Sequence, residues 1–170
     1  LIIFLFQNEV LANSNKTSYT EENISNYFSG LVLSSENKHK DALKHFKKVQ
    51  SLKDEHTNFN REYIKTLVLL EKFDEVISFS KKILLKDKQL FNANLLVGLD
   101  FFINKDYLNA EKHFNELKKI SEDSFIFENF IGNTLIAWSK AALGKKEDSF
   151  KYINKTSDLF ENFGKIQKTL

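Results

Sequence analysis

Three stretches of this chain, Asn37-Lys-His-Lys-Asp-Ala42, Glu71-Lys-Phe-Asp-Glu-Val76 and Lys105-Asp-Tyr-Leu-Asn-Ala110, follow one another at a constant spacing. Each places a short polar turn before a small or β-branched residue that starts an amphipathic run. The spacing is about 34 residues, and self-similarity at a fixed period of this size indicates a repeat architecture. A fourth copy, Gly144-Lys-Lys-Glu-Asp-Ser149, begins five positions later than the same spacing would place it. We therefore expect five extra residues between the third and fourth units, within 121–130.

The same shift aligns apolar and small residues on both sides of the turns. The matching sets are Gly30, Ile64 and Gly98; Leu33, Leu67 and Phe101; Ala42, Val76 and Ala110; and Val49, Ile83 and Leu117. Within the units, apolar residues recur at steps of three or four residues, which is the helix period. The sequence predicts four helix hairpins, over about 23–56, 57–90, 91–129 and 130–160. Ser18-Tyr-Thr-Glu21 has the pattern of a capping box that opens the first helix.

Composition supports an all-α fold. The 170 residues include no proline and only five glycines, which disfavours a β-sandwich with many tight turns. A content of 42% hydrophobic residues is too high for a disordered chain. The absence of cysteine excludes a disulfide framework, a thiolate metal site and a cysteine nucleophile.

The charge pattern argues against a nucleic-acid partner. The formal net charge is +2, and lysines alternate with glutamate and aspartate along the chain. Nucleic-acid binders concentrate a basic excess on one face. We read the alternating charges as solvated helix faces and predict no nucleic-acid binding.

The repeat resembles the tetratricopeptide family over about residues 20–160. A small residue recurs in the first helix of a unit (Gly30, Gly98, Ala137) and another early in the second helix (Ala42, Ala110, Ser149). Aromatic residues recur at the turn (Phe73, Tyr107) and one helical turn after the second small residue (Phe46, Phe114). The resemblance implies a right-handed superhelix, or solenoid, of about four hairpins. The family's proline that closes the second helix is absent, and the large Ile64 and Val76 predict looser packing in the second unit.

The resemblance also implies a partner-binding groove, because the first helix of each unit lines the concave surface of such a solenoid. The inward positions would be Tyr27, Leu31, Arg61, Lys65, Leu95, Leu99, Phe102 and Trp138. Aromatic and arginine side chains are favoured anchors for protein partners. The alternative is that several of these residues pack between helices. The lysine and asparagine pattern with which some family members clamp a terminal carboxylate is missing.

No motif indicates catalysis, a cofactor or a metal. There is no glycine-rich phosphate loop, nucleophile elbow or His-Glu-x-x-His sequence. His45 and His113 occupy the same repeat position two units apart, with Phe79 at that position in the unit between them, so we expect them to lie apart along the repeat and not around one ion. His39 and His56 complete the set, and we interpret all four as surface residues. We predict that the chain is not an enzyme and holds no cofactor or metal.

The two ends of the chain lie outside the predicted repeat. Leu1–Phe6 is apolar, and Val10-Leu11-Ala12 is acceptable before a signal-peptidase cut, so we expect 1–19 to be a signal-peptide remnant and polar linker. The chain contains no methionine, and we expect a fragment or a processed form. The alternative is an upstream helix that packs against the first hairpin. The apolar run is too short to span a bilayer, which needs about 20 residues. Residues 161–170 would form a tail or the start of a further element.

These observations predict a non-catalytic scaffold or adaptor that binds a peptide segment of a partner protein. A signal remnant would place it in the periplasm or at the cell envelope. If Leu1–Phe6 instead belongs to a preceding helix, the same scaffold would be cytosolic. A further alternative, from a different class, is a helical accessory region of a larger enzyme.

Overall fold

The computed structural model describes residues 19–121 and 126–155, together with positions 162 and 165. All regular elements in this part of the chain are helical, which confirms the all-α prediction for it. The helices are α1 Glu21–Ser35, α2 His39–Lys48, α3 Thr57–Leu69, α4 Phe73–Ile83, α5 Phe91–Ile103, α6 Tyr107–Ser121, α7 Ile126–Ala142 and α8 Lys146–Ile153. The predicted signal remnant and most of the predicted tail lie outside the described residues.

Each helix packs against the next one in the chain, and α1 also contacts α3 as α3 contacts α5. Two clusters of buried side chains form the core. The first extends from α2 to α5 and includes Phe46, Phe59 and Leu67. The second joins α6 to α7 through Phe114, Leu117 and Ile136. None of the helices among the described residues is long and apolar enough to cross a membrane.

The four predicted turns have one geometry. Asn37, Glu71, Lys105 and Gly144 each adopt a left-handed backbone, with φ of 61°, 56°, 63° and 73°. The amide of the following residue donates to a carbonyl five residues back, as in Lys38 N to Leu33 O at 2.8 Å and Lys145 N to Lys140 O at 2.9 Å. This is the Schellman arrangement, which satisfies helix carbonyls that otherwise lack a partner. The turn positions predicted from sequence are therefore confirmed.

The start of α1 differs from its prediction. Thr20 is the N-cap residue, and its Oγ1 accepts from the Asn23 amide at 3.1 Å. The helix begins at Glu21, so the predicted capping box of Ser18 and Glu21 is wrong by two residues. The reason is that Thr20 supplies the same kind of hydroxyl acceptor directly before the first helical residue.

The small residues of the first helices make room for rings. A Cβ placed on Gly30 would lie 2.5 Å from Cε1 of Phe46, and one on Gly98 would collide with the Phe114 ring. Both rings are fully buried. The close approach of α1 to α2, and of α5 to α6, therefore requires glycine at these two positions.

A buried asparagine recurs near the start of α1, α3 and α5. Asn60 Nδ2 donates to Lys53 O and Asn94 Nδ2 donates to Lys88 O, both at 2.8 Å, so each amide ties its helix to the preceding connection. Asn26 Nδ2 donates to Glu22 O within α1 at 2.9 Å. These three asparagines occupy equivalent positions of the repeat.

The extra residues between the third and fourth units lengthen helices. α6 has 15 residues, against 10 in α2 and 11 in α4, and α7 has 17, against 13 in α3 and α5. Residues 122–125, within the stretch predicted to hold the insertion, lie outside the described residues.

Candidate protein-binding site

A groove with a volume of about 580 Å³ runs between α4 and α5. Apolar side chains from both helices form most of its walls. The lining residues are Phe73, Asp74, Ile77, Ser78, Lys81, Leu96, Leu99, Asp100 and Ile103. We refer to it as the α4/α5 groove.

Two large apolar side chains of this groove are open to solvent, Phe73 at 55% and Ile103 at 76% of their surface. The next hairpin shows why Phe73 is exposed. There, the equivalent Tyr107 packs edge-on against Phe102, with ring centroids 5.3 Å apart. The residue equivalent to Phe102 in the second unit is Val68, which has no ring to offer. Phe73 therefore remains available to the groove.

One ion pair links the two helices at the groove. Lys81 Nζ lies 2.8 Å from Asp100 Oδ2, and it also lies over the Phe101 ring at 5.3 Å from the centroid. Asp74 is an exposed carboxylate on the α4 wall. The groove therefore combines an apolar floor with fixed charges of both signs, which suits an apolar segment that carries some polar groups.

Leu99 is the predicted groove residue that lines this surface. Leu95 and Phe102, from the same helix, are partly buried and pack against the second core cluster. Leu31 is partly buried against the first cluster. These three side chains contribute to helix packing, as the alternative interpretation of the sequence expected for several members of the set.

Tyr27 has a structural contact with the next unit. Its ring packs edge-on against His56, with centroids 4.9 Å apart, and lies 6.5 Å from Phe59. Partial burial, and secondarily the charge of Glu62, raise the pKa of its phenol. Tyr27 also borders a small cavity of about 150 Å³ together with Tyr19 and Leu52.

The remaining predicted residues are exposed. Arg61 and Lys65 lie on the solvent side of α3, and Lys65 Nζ is 3.6 Å from Glu62 Oε2. Among the described residues, no salt bridge involves the Arg61 guanidinium. Trp138 is exposed on α7. These three side chains are accessible to a partner, but they do not line the α4/α5 groove.

The α4 wall of the groove was not predicted from the sequence. Phe73 was interpreted only as the turn aromatic, and Ile77 and Lys81 were not considered. The three residues are spaced at four-residue steps, which places them on one face of α4. The turn also carries a large apolar residue, and position 68 has no aromatic side chain to cover it. Together with the spacing, these features could have identified the α4 wall from the sequence.

All four histidines are partly buried, and three of them make hydrogen bonds that hold the fold. His45 Nδ1 lies 2.9 Å from Asn26 Oδ1, and His113 Nδ1 lies 3.0 Å from Asn94 Oδ1. The asparagine Nδ2 groups donate to backbone carbonyls, so their Oδ1 atoms face the rings and each His Nδ1 donates. His56 Nδ1 accepts from the Phe59 amide at 3.0 Å and caps α3.

The described residues contain no cluster of three or more histidine, aspartate or glutamate side chains that could hold a metal ion. No family model matches the chain, and no curated protein matches it significantly.

Proposed function

We propose that this chain is a non-catalytic interaction module of the tetratricopeptide type, which holds an apolar segment of a partner protein. The left-handed turn, the buried asparagine and the glycine–phenylalanine contact recur at equivalent positions of the repeat, which supports the family assignment. Such a chain of stacked hairpins would form a right-handed solenoid. It would act as a scaffold or adaptor within a protein complex.

The observation that carries the binding proposal is the α4/α5 groove. Exposed phenylalanine and isoleucine side chains at a concave apolar surface have a lower free energy when a partner covers them than when they remain in water. The ion pair of Lys81 and Asp100 would set the register of the bound segment, because charged groups at an interface contribute more to specificity than to affinity.

The predicted concave residues would provide a second contact surface. Leu99 belongs to the groove, and the exposed Arg61, Lys65 and Trp138 would contact the flanks of a longer partner segment. Tyr27, Leu31, Leu95 and Phe102 would act mainly by holding the first helices in place. A basic pair at Arg61 and Lys65 favours a partner with acidic residues beside its apolar part.

The cellular compartment depends on the fate of Leu1–Ala12. Cleavage after Ala12 would place the module in the periplasm or at the envelope. Retention of these residues would favour a cytosolic scaffold. The proposal that the chain is an accessory region of a larger enzyme remains an alternative to both, and it predicts a catalytic domain in the same polypeptide.

The test compares partners captured from the native organism's lysate by four versions of the protein. These are the wild type, the groove variant Phe73→Ser with Ile103→Ser, the flank variant Arg61→Glu with Trp138→Ala, and the control Leu85→Ser. Leu85 is 83% exposed and does not line the groove, so its replacement removes a comparable apolar side chain elsewhere.

We expect the groove variant to lose the partners that the wild type and the control retain, and the flank variant to bind more weakly. All four proteins should unfold at similar temperatures, because the replaced side chains are exposed and such changes cost about 0.5 kcal/mol or less. Equal partner sets for the groove variant and the wild type would contradict the groove assignment.

A further inference from the structure

The α4/α5 groove contains an acidic side chain that no other group of the lining neutralises. Asp74 is exposed on the α4 wall, and the described residues contain no ion-pair or hydrogen-bond partner for its carboxylate. The other two charged residues of the lining, Lys81 and Asp100, pair with each other at 2.8 Å. The lining thus carries one lysine and two aspartates, and its unpaired negative charge is located at Asp74.

The local sequence explains why Asp74 has no partner. In two other helices, an aspartate of the first turn pairs with the lysine three residues later. These pairs are Asp41 with Lys44 at 2.8 Å in α2, and Asp148 with Lys151 at 3.0 Å in α8. The residue three positions after Asp74 is Ile77, which lines the groove. Lys72 lies close by in the sequence, but its Nζ pairs with Glu75 Oε2 at 3.9 Å.

The position of the free carboxylate separates it from the lysine of the groove. Asp74 and Lys81 are seven residues apart on α4, which is about 10 Å along the helix axis. Exposed charges at that separation are largely screened at physiological salt. A basic group beside Asp74 would therefore be attracted without strong repulsion from Lys81, whose charge is already paired with Asp100.

The walls of the groove favour a helical occupant. Phe73, Ile77, Leu96, Leu99 and Ile103 make these walls mostly apolar. An extended segment would leave many of its own N–H and C=O groups without partners against such walls, and this costs free energy. A helix satisfies its backbone internally and presents apolar side chains at steps of three and four residues.

We propose that the α4/α5 groove holds an amphipathic helix of the partner protein, with apolar side chains against Phe73 and Ile103 and a lysine or arginine beside Asp74. This inference rests on the proposed function, and it states the chemistry of the segment that the groove binds. The acidic part of the partner that we propose for Arg61 and Lys65 would lie outside this helix.

The test uses phage-displayed random peptides of about 16 residues, which are long enough for four helical turns. The library is first depleted on the groove variant Phe73→Ser with Ile103→Ser and is then selected on the wild-type full chain. The peptides that remain are those that require the groove. Selected peptides are synthesised, and their dissociation constants are measured by fluorescence polarisation.

Four single variants separate the role of the free carboxylate from a general effect of charge. Asp74→Asn and Asp74→Lys change the groove, and Glu147→Gln and Glu147→Lys are the matched controls. Glu147 occupies the equivalent position of the fourth unit, in the first turn of α8. It is exposed and does not line the groove, so its replacement makes the same change of charge at the same place of another helix.

We expect the selected peptides to carry an excess of lysine or arginine beside apolar residues at helical spacing. Asp74→Asn should weaken their binding about two- to fivefold, as expected for the loss of an exposed ion pair. Asp74→Lys should weaken it about tenfold, because repulsion replaces attraction. Both Glu147 variants should bind like the wild type, and the differences should shrink as salt is raised.

A charge swap distinguishes lost attraction from misfolding. A selected peptide in which glutamate replaces the basic residue should bind the Asp74→Lys variant more tightly than it binds the wild type. A misfolded variant could not gain affinity in this way. If the glutamate peptide binds both proteins equally, the basic residue does not contact Asp74 and the inference is overturned.

Two further results would overturn the inference and leave the proposed function intact. One is a set of groove-dependent peptides without an excess of basic residues, and the other is a strict alternation of apolar and polar residues, which indicates an extended occupant. A selection that yields no groove-dependent peptide would contradict the groove assignment itself, and the inference would fail with it.

Discussion

The second and third hairpins both bury the contact between their two helices, but they place the large and the small side chain on opposite helices. In the third, Gly98 of α5 makes room for the Phe114 ring of α6. In the second, the equivalent residues are Ile64 and Ser80, both buried. The backbones of α3 and α4 approach each other less closely than those of α5 and α6. A large residue in the first helix is thus accommodated by a small one in the second and by a wider separation.

The same two hairpins differ in a polar pair. His113 donates to Asn94 in the third hairpin, as His45 does to Asn26 in the first. In the second hairpin Phe79 replaces the histidine, and no described group donates to the buried Oδ1 of Asn60. Phe79 instead packs edge-on against Tyr63, with centroids 4.7 Å apart. The volume pair of the second hairpin has therefore changed at both positions, whereas in the polar pair only the histidine has changed and Asn60 is retained.

The largest expected effect comes from breaking the volume match. We expect Gly98→Ile to lower the free energy of unfolding by about 3 kcal/mol, because the added side chain collides with the Phe114 ring. Phe114→Ser alone should cost about 3–5 kcal/mol through the cavity it leaves. The double variant reproduces the Ile64 and Ser80 pattern. In urea denaturation, its loss of unfolding free energy should be about 2 kcal/mol smaller than the sum of the losses for the two single variants. Additive costs would contradict the pairing.

The polar pair should give a smaller effect that depends on pH. His113→Phe leaves the buried Asn94 Oδ1 without its donor, as in the second hairpin, and we expect a loss of about 1–2 kcal/mol at pH 8. Burial, and secondarily Lys81 and Lys112, lower the pKa of His113, although Glu116 acts in the opposite direction.

The sign of the pH effect follows from that lowered pKa. Below about pH 6.5 the unfolded chain binds a proton at this site that the folded chain binds less readily, so the stabilisation by His113 is lost as pH falls. Thermal unfolding between pH 5 and pH 8 should show a smaller cost of His113→Phe at the acidic end. A cost that grows on acidification would mean that the folded protein favours the charged ring.

The smallest effect concerns the turns. Lys105 and Gly144 share a left-handed backbone, but only Gly144 adopts it without steric cost. We expect Lys105→Gly to raise the free energy of unfolding by about 0.5–1 kcal/mol and Gly144→Ala to lower it by a similar amount. Nothing lies within 4 Å of a Cβ on Gly144, so its replacement tests the backbone alone. Chemical denaturation of both variants is the measurement, and changes of the same sign would refute this explanation.

Much of the fold was accessible from the sequence because it repeats. Local backbone geometry determines the turns before Ala42, Val76 and Ala110, and one close contact with a ring determines each of the glycines at 30 and 98. Both kinds of constraint recur at a fixed spacing in the sequence. The α1 start was placed two residues early, because two hydroxyl residues, Ser18 and Thr20, compete as cap and local sequence does not rank them.

The candidate site was less predictable for a physical reason. A groove forms where no neighbouring side chain covers an apolar residue. A sequence pattern shows which residues are present, but it does not show which of them lack a covering neighbour. Phe73 lines the α4/α5 groove only because Val68 is too small to cover it, while Tyr107 is covered by Phe102. The family resemblance directed attention to the first helices and so found Leu99, but it gave no reason to consider α4.

The asparagine at the start of α3 and of α5 has a consequence for how this protein could change in length. Asn60 and Asn94, at equivalent positions, hold the second and third units to the connection before each of them, through side-chain hydrogen bonds to Lys53 O and Lys88 O. Deleting or duplicating one whole unit, such as 57–90, preserves every such junction, whereas losing a few residues from a connection breaks one. We therefore expect the fold to tolerate the loss or gain of one whole unit better than the loss of a few residues from a connection.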